Sequence, residues 1–361
     1  MADIALPTQP ESTSSPLARV ARKIANNFLL RRLLKMLFTL WIVITIIFFV
    51  IRLMPGSPVD VLVQDLVINR GYSIEEATQQ AASLMGIDLD KPLLEQYFEF
   101  LAGLLRGDLG QSYRSQGVSV NTMIAQRLPW TVFSVGISLM LSFFLGIMMG
   151  MIVAYRRNSF LDHLLTNLAA IIDAVPAYLT AILLFMFLGV ITRLVPIQYM
   201  RGSASPGVTP GFNLEFIADI FAHLAVPALA YILGTAGSWM LTMKSSTIST
   251  LGEDYVTVAR ARGLPDSRIM TAYVGRNASL PLATRLAISI AVVMGGSLII
   301  ERIFTYQGIG YLLSQALYSR DYPVMQGVFI VTTVAVILAN FLADLLYGVL
   351  DPRARVTGGG K

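Results

Sequence analysis

The chain alternates long apolar runs with shorter polar stretches, and the runs have the length of membrane crossings. The first covers 36–51 and is closed by Arg52. Lys35 and Arg52 can extend their charged ends toward headgroups, so 33–54 reaches the roughly 20 residues that a helical span needs. Further runs predict spans over about 130–154, ended by Arg156 and Arg157, and 164–191, containing Asp173 and Pro176. Three more follow at 223–243, ended by Lys244; at 283–300, followed by Glu301 and Arg302; and at 324–347. No small-x-small cleavage site follows the first run before Pro55 and Gly56, so it reads as a retained span rather than a leader.

The polar stretches divide the rest. Residues 1–16, rich in Ser, Thr and Pro, read as a disordered tail. Residues 17–35 carry Arg19, Arg22, Lys23, Arg31, Arg32 and Lys35 and read as a basic segment lying on the membrane surface. Loop 55–128 is mostly polar, with two weakly helical stretches at about 74–85 and 91–106. Loop 192–215 holds several Gly and Pro, 244–282 is a long polar segment, 303–323 is a loop before the last span, and 351–361 is a tail. A single membrane domain over 33–350 follows from this pattern.

Composition agrees. Of 361 residues 55% are hydrophobic and 14% charged, against about 25% charged in soluble domains, and the mean hydropathy is +0.65. The net charge of +5 and pI of 9.4 would suggest nucleic acid only if the cations formed a soluble basic patch. They flank apolar runs instead, which excludes that reading and orients the spans. With both termini inside, sixteen Lys and Arg fall in inner segments and eight in much longer outer loops. The absence of Cys excludes disulfides and thiolate metal sites. His163 and His223 show no ligand spacing, so no metal site is expected.

An energy source is hard to place within the chain. There is no Gly-x-x-x-x-Gly-Lys-Ser/Thr loop, and the terminal Gly358-Gly359-Gly360-Lys361 lacks the hydroxyl residue, the strand and the helix such a loop requires. Asp173 is the one acid well inside a predicted span; it either lines a pathway or bonds a neighbouring helix. Pro176 and Tyr178 beside it, and Ser297 and Glu301 at the fifth run, are the other pathway candidates. Met294, Gly295 and Gly296 also lie there, and the glycine pair equally suits close helix packing. Met140, Met148, Met149 and Met151 read as apolar filler. A stand-alone proton-coupled carrier calls for more buried acids or an internal repeat, and a membrane enzyme for a nucleophile–base or metal cluster. Neither is visible.

The informative stretch is 253–264. Glu253 and Asp254 stand at a helix start, where the dipole favours acids. Tyr255, Val256, Val258, Ala259 and Ala261 mix with Arg260 and Arg262, and Gly263-Leu264-Pro265 ends the helix. Such a stub is too short to be stable alone and needs a surface to pack on. The pattern fits either a helix docked in a partner's groove or a solvated connector.

Here a resemblance becomes specific. Residues 253–264, continued by Arg276-Asn277-Ala278-Ser279-Leu280-Pro281, resemble the cytoplasmic coupling motif of ABC importer permeases, in the branch that imports dipeptides, oligopeptides and nickel. Thr257, Val258 and Ala259 stand where the wider superfamily often has Glu-Ala-Ala. Leu53-Met54-Pro55-Gly56-Ser57-Pro58-Val59 resembles the motif after the first span, with Ser57 for the usual Asp. Gly107-Asp108-Leu109-Gly110-Gln111-Ser112 and Arg127-Leu128-Pro129-Trp130-Thr131 are similar to the end of the family's first outer loop. Gly308-Ile309-Gly310, Arg320-Asp321-Tyr322-Pro323-Val324-Met325-Gln326-Gly327 and Leu350-Asp351-Pro352-Arg353 resemble its last loop and its C-terminal signature. Arg302 stands where the family usually has Thr, and Gln307 where Pro is common.

The resemblance implies an all-α membrane protein of six helices, both termini inside, with a long outer loop after helix 1. It implies a non-catalytic permease subunit of the inner membrane that forms half of a translocation pathway for peptides, with oligosaccharides or nickel as alternative cargo. The implied partners are a second similar permease, two ATPase subunits that hold ATP and Mg, and an external solute-binding protein. This chain itself would bind no cofactor. Residues Glu253, Asp254, Tyr255, Val256, Val258, Ala259, Arg260, Ala261, Arg262, Gly263 and Leu264 would couple it to the ATPases. The long outer loop marks the first permease of the pair.

Overall fold

A computed structural model describes residues 28–54, 58–85, 91–115, 117–293 and 298–350. The expected tail 1–16, most of the basic segment 17–35, Pro55 to Ser57, Met294 to Ser297 and the C-terminal 351–361 lie outside the described residues. Those described are helical and hold no strand, only an isolated antiparallel bridge between Gln111 and Ser119. The helices are α1 Phe28–Arg52, α2 Pro58–Arg70, α3 Ile74–Met85, α4 Leu93–Leu105, α5 Val120–Tyr155, α6 Phe160–Ala174 and α7 Ala177–Leu184. The chain continues through α8 Leu214–Leu251, α9 Asp254–Ala261, α10 Leu280–Val293, α11 Leu298–Ile303, α12 Ile309–Ser319 and α13 Tyr322–Leu350.

Four helices are long and apolar enough to cross a membrane: Arg32–Arg52, Val120–Tyr155, Leu214–Leu251 and Tyr322–Phe341. The run predicted as one span over 164–191 is instead two helices, α6 and α7, bent by 95°. The cause is local. Pro176 disfavours helical geometry at the residue before it, and Val175 is extended at φ −87°, ψ 120°. Beyond α7 the helix loosens into a π-turn segment, Phe185–Ile191. The bent pair counts as a fifth crossing if it forms one span. The expected fifth span over 283–300 includes residues outside the described ones.

The polar loops hold more helix than their composition suggested. Loop 55–128 contains the two expected stretches, as α3 and α4, and also α2, which the periodicity missed. Its cue is Pro58 at the helix start with Asp60 in the first turn. Helices α2 and α3 form a hairpin around Val59, Leu66, Ala77 and Ala81. Helix α4 leans on α1, with the Tyr97 and Thr45 hydroxyls 2.7 Å apart and Arg52 Nε donating to Gln96 at 2.9 Å. The loop expected over 303–323 contains α12.

The scaffold rests on α5 and α8, which lie parallel. Ser142 faces Thr235, Gly146 faces Trp239 and Gly150 faces Met243 in constant register. Small or hydroxyl residues recur about every fourth position along α5 (Ser134, Ser138, Ser142, Gly146, Gly150), and all are buried. Without a hydrophobic drive between helices in lipid, such small faces let backbones approach and pack. A Cβ on Gly150 would lie 2.6 Å from the Met240 carbonyl oxygen and 2.7 Å from Met243 Cβ. Helix α6 returns antiparallel along α8, with Lys244 Nζ 2.5 Å from Asp162 Oδ1 and 2.8 Å from Thr166 Oγ1 at one end. Gly237 of α8 admits the Ala169 carbonyl and Asp173 Cβ, and Gly234 admits Ala177, so the bend at Pro176 lies tight against α8.

A paired substitution checks this crossing. Gly150→Val should destabilise the detergent-solubilised protein by about 1–3 kcal/mol through overpacking. Gly136→Ala, where a Cβ would meet nothing within 4 Å, should be neutral or slightly stabilising. Equal thermal melts for the two variants would contradict the close approach.

Candidate functional site

Two clusters at opposite ends of the α5/α8 pair draw together most of the residues that the sequence singled out. The first is the stub α9. Glu253 stands at its N-cap position and Asp254 in its first turn, while Arg260 occupies the last, so the side-chain charges complement the helix dipole at both ends. Gly263 adopts φ +70°. Its N–H donates to the Arg260 carbonyl at 2.9 Å, and the Leu264 N–H reaches the Ala259 carbonyl at 3.3 Å. That pair of bonds is the Schellman ending, in which a left-handed residue just past the helix lets orphan carbonyls be satisfied. Nothing lies within 4 Å of a Cβ built on Gly263, so its requirement is conformational and not steric.

The stub does not stand alone. Val256 and Ala259 are buried against Ile269 and Val274, with Leu251, Leu264 and Tyr273 around them. The segment carrying Ile269 and Val274 is in turn held by α8, where Ser246 Oγ donates to the Ala278 carbonyl at 2.7 Å. The eleven residues therefore split into two faces. Val256 and Ala259 are committed inside the chain with Leu264 partly buried against them, whereas Glu253, Asp254, Tyr255, Val258, Arg260, Ala261, Arg262 and Gly263 are exposed. Tyr255 and Val258 are 38% and 53% exposed, an apolar pair three residues apart on one side of the helix.

The second cluster is the start of α12. Glu301, placed by sequence among pathway candidates, is 3% exposed. Its carboxylate accepts from Thr131 Oγ1 at 2.9 Å and from the Tyr311 N–H at 3.0 Å, while Thr131 Oγ1 accepts from the Ile309 N–H at 2.7 Å. Two side chains from other helices thus cap the first amides of α12, whose own N-cap residue, Gly308, has no side chain to do so. A Cβ on Gly308 would run into both Glu301 carboxylate oxygens and Thr131 Oγ1, and one on Gly310 would lie 2.7 Å from Leu298 Cα. Gly308-Ile309-Gly310 is therefore the footprint of this cap. Beside it Arg127 donates to the Gln307 side chain, and the Arg302 guanidinium lies 4.0 Å from the centre of the Tyr318 ring.

Asp321 makes the neighbouring tie. Buried at 3% exposure, it accepts from Ser112 Oγ at 2.5 Å, from the Tyr113 N–H at 3.1 Å and from the Arg114 N–H at 3.3 Å. The stretches 107–112 and 320–327, distant in sequence, are two halves of one junction. Gly327 completes it, since a Cβ there would meet Val120 Cγ1 at 2.5 Å.

The remaining candidates do not converge. Asp173 is exposed, with its Cβ backed against Gly237; Pro176 forms the bend; Tyr178 is 39% exposed; Ser297 lies outside the described residues. Sequence reading passed over one polar knot. Ser205 donates to Asp219 through both its N–H, at 2.7 Å, and its Oγ, at 2.6 Å, and its Oγ lies 3.1 Å from Nε2 of buried His223. Asp219 and His223 are one turn apart, which was the available signal, and they pin loop 201–213 to α8. The serine hydroxyl donates to the aspartate and not to the imidazole, so the trio lacks the relay order of a nucleophile–base pair. Among the described residues no group of three or more His, Asp or Glu could hold a metal ion.

Comparison with known proteins covers nearly the whole chain. Residues 146–356 match the family described as binding-protein-dependent transport system inner membrane component, and residues 25–135 match its membrane-component N-terminal family. A putative peptide permease protein of Brucella suis biovar 1 (strain 1330) is 36% identical over 331 residues, 92% of this chain and 99% of the relative. The dipeptide transport system permease protein DppB of Escherichia coli (strain K12) is 33% identical over 348 residues, 91% of this chain and 98% of the relative. The oligopeptide transport system permease protein AppB of Bacillus subtilis (strain 168) is 32% identical over 316 residues, covering 86% and 93%.

The cap at α12 sets a stability expectation. Glu301→Ala should leave the Tyr311 N–H and Thr131 hydroxyl without acceptors, at a cost on the order of 3 kcal/mol. Gly308→Ala should fall in the same range by displacing the carboxylate. Thermal unfolding of the purified protein reads both, and melts equal to the parent's would overturn the assignment.

Proposed function

The chain belongs to the family of binding-protein-dependent transport system inner membrane components, and from that membership we propose that it is a permease subunit of a peptide importer, forming half of the translocation pathway. The observation that carries the cargo is the end-to-end match to relatives named as peptide, dipeptide and oligopeptide permeases. The working assembly pairs this chain with a second, similar permease, two ATPase subunits that hold ATP and Mg, and an external solute-binding protein. Six spans with both termini inside place α9 in the cytoplasm and the α12 cap outside.

The mechanism follows from how α9 is held. The ATPases close on ATP and displace the docked stub. Because Val256 and Ala259 are packed on Ile269 and Val274, and that segment is tied to α8, the displacement passes to α8 and, through the glycine-mediated crossing, to α5. The outward face supported as the contact is Tyr255 and Val258, with Asp254, Ala261 and Arg262 around them. Gly263 and Leu264 fix the angle at which the stub leaves the chain. The equilibrium between inward- and outward-open states is then biased by ATP at one end and by the loaded binding protein at the other. The pathway candidates Asp173, Pro176 and Tyr178 lie at the bent crossing, where a break in a spanning helix is tolerated beside protein or water.

Purifying the tagged chain in mild detergent tests the assembly: two ATPases carrying phosphate-binding loops and a second six-span permease should accompany it. A chain that came out alone and moved solute in liposomes without ATP would refute the importer reading. Within the assembly, Val258→Asp should abolish ATP-driven uptake while the subunits still co-purify, whereas Val256→Asp should destabilise the segment itself. Gly263→Val should add about 1–2 kcal/mol of backbone strain and likewise uncouple uptake. Normal uptake by Val258→Asp and Gly263→Val would remove α9 from the coupling role.

A further inference from the structure

Between the 112–115 turn, the start of α5 and the exposed side of α12 lies an open cleft of about 560 Å³. Arg114, Arg127 and Arg302 line it. Their local partners are neutral: Arg127 donates to Gln307, and Arg302 stacks on Tyr318. Among the described residues none of the three forms an ion pair. The one acid in the lining, Asp321, is already engaged by Ser112 and by the N–H groups of Tyr113 and Arg114. The cleft therefore presents three guanidinium groups, none of them ion-paired, against a single carboxylate, and Arg127 is half-buried. Three cations against one acid leave the lining with an excess of positive charge, and the half-buried Arg127 is the one whose partial desolvation an added anion would offset most.

We propose that this cleft receives acidic side chains of the external solute-binding protein when it docks. The proposal rests on the importer reading, which puts this end of the α5/α8 pair outside. Guanidinium forks suit carboxylates, which they bind bidentately. Three cations spread over a volume of this size call for more than one anionic group. A peptide cargo fits less well, because its own ammonium end would find no free carboxylate in the cleft. Charge complementarity of this kind steers docking and makes it salt-dependent.

The test uses the assembled importer in phosphatidylcholine nanodiscs and, in parallel, in nanodiscs containing phosphatidylglycerol. The solute-binding protein is titrated at low and high salt. Arg114→Gln/Arg302→Gln should weaken binding about tenfold at low salt and flatten the salt dependence in both lipids. Both side chains are exposed, so the fold should tolerate the exchange, and co-purification of the partner subunits checks assembly. Arg127→Gln should weaken binding further. Unchanged affinity and salt slope in an intact assembly would overturn the proposal while leaving the importer reading in place; failure of the subunits to assemble even around the parent chain would sink that reading instead. An effect confined to phosphatidylglycerol discs would assign the cleft to lipid headgroups. Unchanged docking with a selective loss of uptake of free-carboxylate over amidated peptides would assign it to cargo. Either result overturns the docking role.

Discussion

A helix that begins inside an apolar assembly strands its first amide donors, and in a bilayer protein no water is at hand to satisfy them. Helix α12 begins that way, and this end of the α5/α8 pair is arranged around the solution. Glu301 and Thr131, 170 residues apart in sequence, bring acceptors to Ile309 and Tyr311. Bringing a carboxylate that close to backbone leaves no room for a side chain at Gly308, and the approach of α11 leaves none at Gly310. Asp321 applies the same logic in the other direction, satisfying the amides of a turn that lies 207–209 residues away. The hydrophobic cluster that joins α1, α5, α12 and α13 around Ile51, Val120, Ile309 and Val328 can close only once these polar groups have partners.

The opposite end uses a different device for the same purpose. Helix α9 has eight residues, too few to persist alone, and gains its stability from Ile269 and Val274 on one side and from the Gly263 ending on the other. Between the two ends, α5 and α8 touch backbone to side chain through Gly146 and Gly150. From Gly150 to Thr131 is about 28 Å along α5 at 1.5 Å per residue. Close-packed interiors transmit displacement rather than absorb it, so a stub fastened to this pair can move the far end only with the pair.

How much of this was legible depended on the range of the interaction. Apolar runs marked four helices long enough to cross outright, because a span's length is set by the bilayer and needs no knowledge of neighbours. The 95° bend in 164–191 was present in the sequence as Pro176, but its size depends on Gly234 and Gly237 of α8, which only the fold brings alongside. Glu301 looked like a pathway residue because an acid after an apolar run is conspicuous, while its partner Thr131 is an unremarkable hydroxyl in another helix. The motif 253–264 announced a short helix, yet nothing local said that Val256 and Ala259 would face inward and Val258 outward. The Ser205–Asp219–His223 knot was missed for the same reason: Asp219 and His223 are one turn apart, but Ser205 arrives from a loop.

This range dependence separates residues that close the structure from residues left over to act. Gly308, Gly310, Glu301, Asp321 and Gly327 look functional as motifs, yet each has its capacity consumed inside the chain: space already filled, or lone pairs already accepting. Among the residues of the sites described above, those with capacity to spare fall at three places. Tyr255 and Val258 expose apolar surface on a stub with no reason of its own to project. Arg114 and Arg302 carry charge into a cleft whose only acid is occupied. Asp173 points outward at the broken crossing with its backbone fixed by Gly237. A folded chain at its free-energy minimum satisfies what it can internally, so groups held in a fixed position with capacity to spare are the ones left for the contacts proposed above.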